Sequence, residues 1–202
     1  MGLTVEIRRQ IESELREQIL KTTGRLDALP LLYATMAIGK ESKGLNVFNE
    51  CSKDYQIEKW SWTSDLAIDF WIAQQAFKVG LKSVPANELD QIMSTGHKIA
   101  IEALDKHLRM DVHEISLNIR IKNYQLVTGQ DPYIIAKEFT SKVFGFDHQF
   151  NALLVARFAT ECFPFLISNI DMMCQMDKLL APKKPSVISR ALNLFTRGNQ
   201  YG

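Results

Sequence analysis

The sequence contains few cysteines, and none is placed for a cross-link or a thiolate metal site. Three cysteines occur in 202 residues. Cys51, Cys162 and Cys174 are widely spaced and form no C-x-x-C pair, so neither a disulfide framework nor a cysteine zinc site is indicated. The N-terminus reaches charge at Glu6 without an apolar signal region. We therefore expect a soluble protein of a reducing compartment, the cytoplasm.

An excess of charge of one sign and long apolar runs are also missing. The 24 Lys and Arg residues against 23 Asp and Glu give a net charge of +1, so no overall field directs the chain to nucleic acid or an anionic membrane. The longest apolar stretch, residues 152–170, is interrupted by Arg157, Glu161 and Pro164. A bilayer-spanning helix needs roughly 20 mostly apolar residues in succession, so we expect no membrane span.

The common catalytic and nucleotide-binding motifs are absent. The sequence has no G-x-x-x-x-G-K-[ST] loop, G-x-G-x-x-G turn, H-E-x-x-H pair, EF-hand loop or G-x-S-x-G elbow. Each of these patterns marks a known way of binding a phosphate, a cofactor or a metal, or of activating a nucleophile. The sequence therefore predicts no catalytic residue, no metal site and no cofactor, and it favours a non-enzymatic role.

What is present is helical periodicity. Only ten Gly and six Pro occur, and apolar residues three and four positions apart recur along most of the chain. We expect one all-α domain over residues 1–181, a bundle of about seven helices, followed by a short basic amphipathic tail over residues 182–202. The predicted helices cover residues 3–22, 26–38, 64–79, 85–104, 112–127, 132–145 and 150–180.

Three segments depart from a simple helical pattern. Residues 112–127 start like a capped helix, yet apolar and polar residues alternate from Ile115 to Ile121 as in a half-buried strand. Helix is favoured because no second comparable run exists to pair with a strand. Pro164 is expected to kink or break the last helix. No period holds from Lys40 to Trp62, so we expect the longest loop there.

The densest group of potential ligands surrounds three histidines. His107 and Asp111 are four residues apart, a spacing that places two side chains on one face of a continuous helix. No Glu-x-x-His pair is present to complete a dinuclear carboxylate site. We interpret His107 as a residue at the border of the apolar face and His113 as part of a helix junction. An apolar pocket between helices near His97 and His107 is the basis of an alternative, an enzyme or small-molecule binder.

Two regions are candidates for contact with a partner. Trp60 and Trp62 follow the predicted loop, where such residues are frequent interface anchors; alternatively, both indoles pin the loop to its own core. After Asp177 the chain has no acidic residue, and its basic residues alternate with apolar ones, as in a segment that docks on another protein. The candidate partner-binding residues are Trp60, Trp62, Lys183, Lys184, Ile188, Arg190, Leu194, Phe195 and Arg197.

These observations predict a helical protein-interaction subunit, such as an adaptor, a chaperone-like protein or a structural component of a larger assembly. The partner is expected to be another protein or a second copy of the chain. Nucleic acid, bound through the basic tail, is an alternative that a steep salt dependence of binding would support.

Overall fold

The computed structural model describes residues 3–39, 43, 46, 62–108 and 149–180. Within those ranges the chain is all-helical and has no strand, which confirms the expected fold class for this part. None of the helices there combines the length and apolarity needed to cross a membrane. The predicted helices at 112–127 and 132–145 and the tail from residue 182 lie outside the described residues, so the count of about seven helices stays a prediction. The helices are α1 (Val5–Lys21), α2 (Arg25–Ile38), α3 (Trp62–Gly80), α4 (Ala86–Leu108) and α5 (Gln149–Leu180).

Helix α1 begins at a side-chain cap and buries one apolar stripe. The Thr4 hydroxyl accepts a hydrogen bond from the Ile7 N–H over 3.3 Å, which satisfies one of the free donors of the first turn. Ile11 and Leu15, one turn apart, are buried in the core. This confirms the helix predicted over residues 3–22.

Helix α2 lies at the centre of the bundle and packs against α1, α3 and α4. It begins at Arg25, two residues before the expected start near Asp27, and Pro30 lies in its second turn. The Tyr33 ring is buried and meets the Phe77 ring of α3 edge-on, with centroids 5.3 Å apart. Edge-to-face pairs of this kind stabilise a core beyond the area that they bury.

Helix α4 crosses α2 with direct backbone contact. A Cβ atom at Gly96 would lie 2.7 Å from the Pro30 carbonyl oxygen and 2.8 Å from Cδ1 of Tyr33, so only glycine fits at this crossing. The predicted start of α4 is confirmed, since the Leu89 N–H donates to the Pro85 carbonyl oxygen over 2.9 Å. Pro85 thereby closes the first turn with its carbonyl, a role that needs no N–H.

Helix α5 is continuous through its proline and packs against α3. Of the two outcomes expected at Pro164, a kink or a break, the break is therefore wrong, and the kink stays a prediction. Pro164 is exposed, whereas Cys162 and Leu166 on either side of it are buried in the core. Burial of both flanking residues offsets the hydrogen bond that Pro164 cannot donate.

The loop expected before Trp62 holds helical structure at each of its described positions. Lys43 and Asn46 are helical, and Trp62 is already the first residue of α3. The Lys43 N–H donates to Oδ1 of Asp69 over 3.0 Å, and its ammonium lies 4.8 Å from the centroid of the Phe165 ring. Contacts with α3 and α5, both distant in the sequence, thus hold Lys43 where no local period predicts a helix.

Candidate functional site

A cleft of about 320 Å³ lies between α1, α2 and α5. It exists because α1 packs on α2 and α5 packs on α3, while the described parts of α1 and α5 share no close interface. One side of α2 is thereby left partly uncovered. The residues that line the cleft are Glu12, Arg16 and Ile19 of α1, Leu32, Thr35 and Met36 of α2 with Gly39 after it, and Phe165, Asn169 and Met172 of α5.

Two contacts define how α5 runs along α2. At one end, Nη1 of Arg25 donates to the Leu179 carbonyl oxygen over 2.8 Å, which joins the first turn of α2 to the last turn of α5. Near the other end, Lys43, a few residues after α2, lies over the Phe165 ring. The two helices therefore run antiparallel, and the cleft follows them lengthwise.

The charged wall of the cleft is an ion pair within α1. Nε of Arg16 donates to Oε1 of Glu12 over 2.7 Å. The Glu12 side chain is only 10% exposed, whereas that of Arg16 is 66% exposed. Glu12 therefore fixes the orientation of the guanidinium through Nε, and the two terminal nitrogens of Arg16 hydrogen-bond to none of the described residues.

The two neutral polar residues of the cleft each donate one hydrogen bond within their own helix, and the Asn169 amide has a second N–H donor. The Thr35 hydroxyl donates to the Leu31 carbonyl oxygen over 2.8 Å, and Nδ2 of Asn169 donates to the Phe165 carbonyl oxygen over 2.9 Å. Their oxygen atoms can still accept hydrogen bonds. None of the described residues that line the cleft is Ser, Cys or His, and the Thr35 hydroxyl already donates to a backbone carbonyl.

A buried ion pair joins three helices close to this cleft. Nη1 of Arg8 in α1 lies 3.0 Å from Oδ2 of Asp69 in α3, and it also donates to the Ile38 carbonyl oxygen at the end of α2 over 3.3 Å. The Arg8 and Asp69 side chains are 2% and 5% exposed. The pair is structural, because neither charge reaches the cleft surface.

Cys162 lies in the same buried region. Burial raises the pKa of its thiol well above the ordinary value, and the carboxylates of Asp69 and Glu161 raise it further against the opposing effect of Lys43. A thiol in this environment stays protonated, so it is a poor nucleophile.

The histidines singled out in the sequence lie away from the cleft. Nε2 of His107 lies 3.1 Å from Oε1 of Glu14, whose other oxygen is 2.8 Å from Nζ of Lys106. The His97 ring packs on the Phe70 ring, with centroids 4.9 Å apart. Neither histidine lines the cleft, and the structure described here brings together no group of three or more His, Cys, Asp or Glu able to hold a metal. His113 lies outside the described residues.

Glu14 owes its low pKa to this contact between α1 and α4. Hydrogen bonds from Lys106 and then from His107 hold the pKa of its carboxyl below the ordinary value, with charge attraction from both adding to the effect. The Glu14 side chain is 41% exposed. Solvent therefore screens the contact, and it holds α1 against α4 only weakly.

Of the predicted partner-binding residues, the structure describes Trp62 alone. Trp62 is partly buried and packs against the core from the first position of α3. Its predicted partner contact stays a prediction. The other candidates lie outside the described residues: Trp60, Lys183, Lys184, Ile188, Arg190, Leu194, Phe195 and Arg197.

The residues that line the cleft were not among the sequence-based candidates. The spacing of Glu12 and Arg16 would have indicated an ion pair on one helix face, and nothing in the sequence shows that this face lies across a cleft from α5. Neither a protein-family model, nor a curated protein, nor a solved structure matches this chain. The proposals that follow therefore rest on the geometry of the chain itself.

Proposed function

We propose that the chain is a helical protein-interaction subunit, an adaptor or structural component of a larger assembly. The observation that carries this proposal is a set of exposed leucines at one end of the bundle, which we name the end patch. Leu20 is 86% exposed, Leu26 46% and Leu179 58%. Water around large apolar side chains is released when a partner covers them, which favours association.

Chain geometry brings the end patch together. Leu20 and Leu26 flank the short connection between α1 and α2. The hydrogen bond from Arg25 to the Leu179 carbonyl oxygen places the last turn of α5 beside the first turn of α2. All three leucines therefore lie at the same end of the bundle.

The charges around the end patch are mixed. Lys21, Arg25 and Lys178 are exposed beside the three leucines, and so is Asp27. Lys21 forms an ion pair with Glu17 over 2.6 Å. The end patch therefore offers apolar area, and the preference for a partner with acidic edges comes from the predicted basic tail, which starts at residue 182.

A photo-crosslinking experiment tests the proposal. A benzophenone amino acid is placed at position 20 of the full chain, and in a matched control at position 167, because Ile167 is also exposed, at 48%, and lies about a dozen residues before Leu179 on α5. We expect one protein to be crosslinked from position 20 and not from position 167. Adding Leu179→Ser should abolish that product.

Three results would contradict the proposal. Equal crosslinking from both positions would show nonspecific contact. If neither position gave a crosslinked protein, the end patch would not be an interaction surface. Crosslinking from position 20 to nucleic acid, together with a steep salt dependence of binding, would favour the nucleic-acid alternative. A product with twice the mass of the chain would identify the partner as a second copy, which light scattering of the purified protein would check.

A further inference from the structure

We infer that the cleft between α1, α2 and α5 binds a small amphipathic carboxylic acid. The carboxylate of this ligand is held by the terminal nitrogens of Arg16, and its apolar body lies against Met36, Phe165 and Met172. This inference is independent of the proposed function, because the end patch and the cleft share no residue.

The size of the cleft suits a small molecule better than a protein segment. Its volume of about 320 Å³ is at the lower end of the roughly 300–1,000 Å³ typical of small-molecule sites. From Phe165 to Met172 along α5 it extends about 10 Å at the helical rise of 1.5 Å per residue. A partner helix is itself about 10–12 Å wide with its side chains, so it would not fit inside.

Most of the cleft surface is apolar and adaptable. Leu32 and Ile19 add to an apolar wall that also contains two methionines and a phenylalanine. Methionine side chains are flexible, and their sulfur atoms make favourable contacts with aromatic rings. Met172 is 39% exposed, so a ligand body seated here would remove its side chain from water.

Among the described residues that line the cleft, Arg16 carries the charged donors. A guanidinium carries five N–H donors, and Glu12 engages only the one on Nε. The remaining donors are pre-oriented by this contact and form the fork that binds a carboxylate through two parallel hydrogen bonds. In the part of the cleft lining that the structure describes, the accessible charge is the Arg16 guanidinium, which is 66% exposed, whereas the Glu12 carboxylate is 10% exposed and already bound to Arg16. An anion is therefore favoured over a cation.

Binding can be measured at the methionine methyl groups. The full chain has seven methionines, and selective ¹³C-methyl labelling gives one NMR signal for each. Met36 and Met172 line the cleft, whereas Met93 is buried elsewhere in α4. Addition of octanoate should shift the Met36 and Met172 signals and leave Met93 unchanged, with the signals assigned from Met36→Leu and Met172→Leu variants.

The role of the Arg16 charge is tested by replacing two arginines of α1 one at a time. Arg16→Gln should weaken octanoate binding about tenfold, which corresponds to about 1.4 kcal/mol, because the fork of donors is lost. Arg9→Gln is the matched control, since Arg9 is exposed on α1 and does not line the cleft, and it should bind octanoate as the natural chain does. Octylamine and 1-octanol should bind at least about tenfold more weakly than octanoate.

Specific outcomes would overturn the inference. One is an absence of shifts at Met36 and Met172 at millimolar octanoate; another is equal shifts in the Arg16→Gln variant; a third is equal binding of octanoate and 1-octanol. Met172→Glu provides a second variant at an exposed position. It should abolish octanoate binding by charge repulsion, and unchanged binding in this variant would also contradict the assignment.

Discussion

The two sides of α2 are built in different ways. On one side, α4 comes so close that Gly96 touches the backbone of α2 at Pro30. On the other side, α1 and α5 flank α2 without a close interface between them, and long side chains line the cleft that results. A small residue lets two helix backbones meet, whereas residues such as Arg16 and Met172 keep them apart. The side of α2 that faces α4, the tight side, stabilises the fold. The side that faces α1 and α5, the open side, carries the cleft.

The largest expected effect comes from the buried ion pair between Arg8 and Asp69, which lies close to the cleft. Arg8→Met leaves Asp69 buried and without its guanidinium, which typically costs about 3–5 kcal/mol. We expect the free energy of unfolding, measured by urea denaturation, to fall by about this amount. Arg9→Met, an exposed control on the same helix, should change stability by less than about 0.5 kcal/mol.

The double variant Arg8→Met with Asp69→Leu sharpens this prediction. It removes both charges together, so it should recover part of the stability lost in Arg8→Met. If Arg8→Met were as stable as the natural chain, the pair would not hold α1 to α3, and the account of the open side would be wrong.

Replacement of the glycine on the tight side should have the next largest effect. Alanine favours a helix over glycine by about 1 kcal/mol, yet a Cβ at Gly96 would lie within 3 Å of both Pro30 and Tyr33. Overpacking of this kind typically costs about 1–3 kcal/mol, so Gly96→Ala should lower the thermal unfolding midpoint. Ser94→Ala on the exposed face of α4 is the control. A stabilised Gly96→Ala variant would show that the two helices do not meet in backbone contact.

The smallest effect is expected at the exposed contact between α1 and α4, and it depends on pH. The pKa of Glu14 is lower in the folded chain than its ordinary value, so its charged form is favoured by folding. The stability that it contributes is fully present above the unfolded-state pKa and is lost as the pH falls through the folded pKa. Urea unfolding between pH 6 and pH 3 should therefore show a shallower loss of stability for Glu14→Gln. An equal slope in Glu14→Gln and in the natural chain would contradict the assignment.

Several helix boundaries could be predicted because they depend on local chemistry. Apolar residues spaced four apart among charged ones predicted α1, and Pro85 with the helical period that follows it predicted the start of α4. The sequence could not decide whether Pro164 breaks the helix, because the cost of a proline in a helix is local, whereas the burial of Cys162 and Leu166 that offsets it involves another helix. Lys43 was misjudged for the same reason, since its contacts lie in α3 and α5.

The sequence by itself determined the helical class and the absence of known catalytic motifs, because periodicity, caps and motif spacings act over a few residues. Only the tertiary structure decided which polar residues are buried. Arg8 and Asp69 look like surface residues in the sequence and become a buried pair because they meet across 61 positions of chain. The cleft has the same origin: Arg16, Met36 and Met172 belong to three helices, and the space between them depends on how those helices pack and on nothing within any one of them.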